Sequence, residues 1–72
     1  MQYHEKIKEL REDNDLKQEQ IAEILKTTQS YYAQYESGKR SIPFERMIEI
    51  AEIYNVSLDW IAGRTNKKEV NR

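Results

Sequence analysis

The apolar residues of this chain recur at helical spacing, and no stretch of four alternates convincingly enough for a strand. Tyr3, Ile7 and Leu10 stand at i, i+4 and i+7, which predicts a first helix over about 2–14. Asn14 and Asp15 break it, and Leu16 turns inward. A second helix starts at about Lys17 or Gln18 and runs to Leu25. Ile21, Ala22 and Leu25 face inward, with Ile24 partly exposed. Lys17 is a poor cap for that start. Thr28 is a good N-cap for a third helix over about 29–37, and Gly38 is suited to end it. Pro43 opens a fourth helix, whose inward stripe is Met47, Ile50, Ala51 and Tyr54. Asn55 can take the left-handed conformation after it. Ser57 caps a short fifth helix, LDWIA, closed by Gly63. The expectation is an all-α, compact five-helix domain over 1–63, followed by a flexible tail or the start of a linker over 64–72. The connection at 26–28 is expected to be the shortest, with the loop length of a helix-turn-helix between helices two and three.

At 72 residues the chain is sized for one domain, and one this small buries only about 60% of its unfolded surface. It has no cysteine, so no disulfide framework and no cysteine-ligated metal is available. No apolar run approaches a membrane span, and the N-terminal stretch MQYHEKIKEL lacks a signal-peptide core. The expected setting is soluble and cytoplasmic. His4 is isolated from any partner at metal-ligand spacing, and Trp60 reads as core or dimer contact. No nucleophile–base constellation or phosphate loop is present, so neither an enzyme nor a cofactor is expected.

Residues 28–40, TQSYYAQYESGKR, place three tyrosines within five positions. At about 100° per residue, Tyr32, Tyr35 and Glu36 share one side of the third helix. Ser30, Ala33, Gln34 and Ser37 share the other, with Gln29 at its exposed N-terminal end and Tyr31 between the two. Tyr32 and Tyr35 are therefore expected in the core, their hydroxyls reaching a polar partner at its edge. The outward face has no carboxylate, in a chain that is 35% charged. Such a face suits the DNA major groove. Gln can bond adenine at N6 and N7 together, Ser can bond several base edges, and Ala can touch a thymine methyl. Lys39 and Arg40 follow, placed to grip the phosphate backbone. Net charge is −1 and the pI is near 5.8, which opposes nucleic-acid binding weakly, since local distribution outweighs the total.

IKELRE at 7–12, LKQEQIAEIL at 16–25, TTQSYYAQYESGKRSIP at 27–43 and YNVSLDWIAGRT at 54–65, in this order and spacing, resemble the Xre/Cro-like (lambda-repressor-like) helix-turn-helix regulators. The resemblance implies a fold with its helix-turn-helix at helices two and three. It implies a sequence-specific transcriptional regulator, typically a repressor, binding double-stranded DNA as a homodimer on an inverted repeat. It matches Gln29, Ser30 and Gln34 to base-reading positions. It matches Gln18, Thr28, Lys39 and Arg40 to phosphate contacts, and Arg11 and Glu36 to a pair that bonds across the core. Tyr31, bulky where relatives often carry something small, is placed as a phosphate or base-edge contact. Lys17, Lys26 and Thr27 depart from the usual Ser or Thr cap, turn glycine and apolar residue. Lys26 in a left-handed conformation would cost about 1 kcal/mol. Two other functions fit the sequence: an antitoxin or immunity regulator whose main partner is a protein, and a protein-interaction module without DNA binding.

Overall fold

The computed structural model describes residues 3–65, 67 and 68. It holds five helices, α1 (Tyr3–Asp13), α2 (Gln18–Ile24), α3 (Gln29–Ser37), α4 (Phe44–Tyr54) and α5 (Leu58–Ile61), with no strand among the described residues. The all-α expectation holds, and each helix boundary lies within a residue or so of its predicted place. The α2–α3 connection is not the shortest. Residues 25–28 join those helices, whereas 55–57 suffice between α4 and α5, because Asn55 turns the chain at once and Ser57 already caps the next helix.

Each helix ends for an identifiable reason. Asp15 at φ 55°, Lys26 at φ 60° and Asn55 at φ 53° are left-handed, as are Gly38 and Gly63 at φ 81°. Asp and Asn tolerate that region; Lys does not. The Lys26 turn nonetheless closes well, the Thr27 amide donating to the Ala22 carbonyl at 2.9 Å. At the start of α2 the Lys17 ammonium has no lone pair to offer. The Gln20 Oε1 reaches back instead and accepts from the Lys17 backbone amide at 2.7 Å, which is half of a capping box. Thr28 Oγ1 accepts from the Tyr31 amide at 3.1 Å, and Ser57 Oγ from the Trp60 amide at 3.3 Å.

α3 packs against α1 and α2, and α5 packs against α4 and α1. Ile7, Leu10, Ile21, Tyr32, Tyr35, Ile50 and Ile61 are almost completely buried. On α4 only Ile50 and Ala51 of the expected stripe are fully buried. Met47 and Tyr54 pack at the core's edge, and Ile42 ahead of the helix is buried in addition. Phe44 is 68% exposed and Ile24 52%.

The tail expectation falls partly on Asn66 and 69–72, outside the described residues. Within them, the Ser57 amide donates to the Lys68 carbonyl at 2.8 Å. The Lys68 ammonium stands 5.1 Å from the Trp60 ring centre and 3.8 Å from Asp13. Lys6 covers the same ring at 4.9 Å.

Candidate nucleic-acid interface

The site is built on α3, which divides as its periodicity requires. Tyr32, Tyr35 and Glu36 are buried. Gln29, Ser30 and Ser37 are exposed, Ala33 and Gln34 are half-buried, and Tyr31 lies at 38% exposure.

Glu36 is the one acid of α3, and it is tied inward. Its Oε2 accepts from Arg11 Nε at 2.7 Å and its Oε1 from Arg11 Nη2 at 3.1 Å, a two-bond fork between α1 and α3. Gln18 Nε2, on the first residue of α2, donates to the same Oε1 at 3.1 Å. Arg11 Nη1 also donates to the Leu16 carbonyl at 2.8 Å. The Glu36 carboxylate thus fastens α1, α2 and α3, and the same Arg11 guanidinium ties in the 14–17 turn. Burial pushes the Glu36 carboxyl pKa up, but the hydrogen bonds from Arg11 and Gln18 outweigh it and hold the group below its ordinary value. The Glu36 hydrogen bond holds the Arg11 pKa up against the effect of burial.

The expected polar partners for the core tyrosines are not all found. The Tyr32 hydroxyl lies by the Glu36 carboxylate, but among the described residues neither it nor the buried Tyr54 hydroxyl makes a hydrogen bond. Burial raises both pKa values, Tyr54 to about 12 and Tyr32 further, with the Glu36 charge adding to each.

The remaining site residues fall around this knot. Gln18 is spent through its amide nitrogen, which leaves its Oε1 unclaimed by Glu36. Thr28 is exposed at the α3 cap. Lys39 is exposed just past Gly38. Arg40 folds back, its guanidinium 4.5 Å from the Tyr31 ring centre and its Nε donating to Gln34 Oε1 at 3.3 Å. Ser30 and Gln34 lie on the outward side of the helix, as 100° spacing puts them, and Gln29 is exposed at its N-terminal end.

Lys8 was legible only as one charge on the solvated face of α1. It lines a shallow groove with Gln18, Ala33, Glu36 and Ser37, so it adds a cation beside α3. Its i, i+3 spacing from Arg11 on α1 is the one signal that would have placed it there. His4 lies against the turn after α3, where a Cβ on Gly38 would stand 3.3 Å from its ring.

Two short helices joined by a tight turn, the second with a polar face beside exposed cations, define a helix-turn-helix domain. The family model described as Helix-turn-helix matches residues 7–61, and the chain belongs to that family. It is similar to two proteins of Bacillus subtilis (strain 168), the uncharacterized HTH-type transcriptional regulators YobD and YqaE. Identity to YobD is 33% over 64 residues, covering 89% of this chain and 57% of YobD. For YqaE it is 34% over 67 residues, covering 92% and 58%. A transcriptional regulator from Listeria innocua superposes with a TM-score of 0.81 at 28% identity, covering 97% of this chain and 65% of its own. The chain therefore spans under two thirds of the length of each of these relatives. The class they define, transcriptional regulators of the helix-turn-helix type, is not an enzymatic one. No described helix is long and apolar enough to cross a membrane.

Proposed function

We propose that this domain binds duplex DNA sequence-specifically, with α3 in the major groove, and acts as a repressor by occupying its operator. Gln29, Ser30 and Gln34 read bases, and Ala33 offers a methyl contact. Gln18, Thr28, Tyr31, Lys39 and Arg40 hold the phosphates, with backbone amides at the starts of α2 and α3 adding to them. The observation that carries this reading is the inward engagement of Glu36. The chain has 13 acidic residues, yet the exposed face of α3 presents none. A carboxylate there would repel both walls of the groove.

The binding form is a symmetric dimer on an inverted repeat. Half-sites one helical turn apart lie roughly 34 Å from each other, and the dimer presents its two α3 helices at that spacing. The region after Tyr54, around Trp60, forms the dimer contact.

Selection from a random duplex pool at moderate salt tests the reading. An enriched inverted repeat with adenine-rich half-sites is expected, and Gln29→Ala with Gln34→Ala should abolish the enrichment. Retention without enrichment, lost steeply as salt rises, would leave a backbone binder only. No retention at any salt would remove DNA as the target and turn the search to a protein partner.

A further inference from the structure

We propose that Arg40 is a specificity-determining positioning residue for Gln34, acting from a rest on the Tyr31 ring. This rests on the DNA reading above and goes further, since that reading gives Gln34 to a base and Arg40 and Tyr31 only to phosphates.

A glutamine amide is ambivalent. Rotation by 180° about its last bond exchanges an acceptor for a pair of donors. Adenine's major-groove edge needs one order only: the oxygen to accept from N6–H and the nitrogen to donate to N7. On a solvated helix both orders are open, and the wrong one presents like groups to the base.

At Gln34 two contacts choose the same order. The Arg40 guanidinium has only donors, so its Nε can engage nothing but the amide oxygen, at 3.3 Å. The amide nitrogen meets the Ser30 carbonyl, a pure acceptor, at 3.5 Å. Arg40 is itself held. Its backbone amide donates to the Gln34 carbonyl at 3.2 Å. Its guanidinium lies over the Tyr31 ring, 4.5 Å from the centre. Tyr31 in turn stands edge-on to Tyr35, with centroids 5.5 Å apart, and Tyr35 is in the core. A chain of contacts thus runs from the core through two rings and a guanidinium to the base-reading amide. The engaged oxygen keeps a second lone pair for N6–H, and the outer Nη groups of Arg40, which bond to none of the described residues, can meet phosphate. Positioning and backbone contact therefore coexist. Lysine would keep the charge but lose the planar fork that spans ring and amide.

The test uses the selected duplex and a set with each base pair of the half-site substituted. Gln34→Ala locates the position that Gln34 reads, as the one where discrimination falls. Arg40→Lys is then expected to lower discrimination at that position about tenfold. Discrimination at the positions set by Gln29 and Ser30, and the salt slope, should not change. Tyr31→Leu should act like Arg40→Lys, while Tyr31→Phe, which keeps the ring, should not. All these side chains are exposed or half-buried, and circular dichroism checks that the fold is unchanged. If Arg40 serves phosphate alone, Arg40→Lys will leave discrimination intact. Arg40→Ala will then weaken all sequences alike, with the salt slope reduced by about one. That result overturns the inference and leaves the DNA reading standing. A wild-type domain that discriminates nowhere overturns both.

Discussion

Glu36→Ala should cost this domain about 3 kcal/mol. The substitution leaves the Arg11 guanidinium, whose side chain is 13% exposed, facing the space of a carboxylate that was 3% exposed. Breaking a buried pair by removing one partner costs about 3–5 kcal/mol, and the lower end applies because Arg11 keeps some access to water. A chain of 72 residues has a total stability of about 4–11 kcal/mol, so the loss is a large share of it. The midpoint of urea unfolding should fall by about 3 M, for a slope near 1 kcal/mol/M, and the melting temperature by about 12–24 °C. Trp60 fluorescence and far-ultraviolet dichroism report the transition, and the slope itself should not change. Removing both charges, with Arg11→Met and Glu36→Met together, should recover most of the loss, since neither ion is then left alone. Should Glu36→Ala shift the midpoint no more than the exposed Glu52→Ala does, the claim that this carboxylate fastens three helices would be wrong. The same pair sets an acid limit. The folded Glu36 pKa is depressed, so its stabilisation is full above the unfolded value of about 4.3 and is lost as pH falls through the lower folded value. Glu36→Gln should flatten the acid limb of the stability–pH curve.

Lys26→Gly should raise stability by about 0.5–1 kcal/mol in a thermal melt, because φ 60° strains a lysine and not a glycine. A lower melting temperature would show that the turn is not left-handed in solution. Gly38→Ala should lower stability by about 1 kcal/mol or more, as φ 81° is costly for any side chain. Adding His4→Ala should return only the small part due to the 3.3 Å approach of the new methyl to the imidazole. In alkali, the contribution of Tyr54 is full below the ordinary tyrosine value near 10 and is eroded as pH rises from there through about 12. Tyr54→Phe should therefore make the domain more resistant between those limits in pH-jump unfolding.

The helices were legible because their signals are local. Thr28 and Ser57 carry cap oxygens, Gly38 and Asn55 accept left-handed turns, and Pro43 stands at a helix start, where its missing N–H costs little. The face of α3 was legible for the same reason, since a period of 3.6 sorts Tyr32 and Tyr35 from Ser30 and Gln34 without reference to anything else. Burial grades were less legible. Met47 and Tyr54 share a stripe with Ile50 and Ala51, but depth depends on what lies opposite, and Ile42, itself outside any helix, joins the core.

The sequence by itself determined the helix-turn-helix and the polar, carboxylate-free edge of its second helix. Spacing, caps and breakers act within a few residues and survive without any tertiary partner. Only the tertiary structure decided where charges and amides go. Arg11 and Glu36 are 25 positions apart and were paired beforehand only through the resemblance, whereas the Gln18–Glu36 bond, across 18 positions, was not foreseen; both follow from how α1, α2 and α3 pack. A chain 35% charged offers many equivalent pairs on paper. Packing selects among them, because a buried carboxylate must find donors while an exposed one has water.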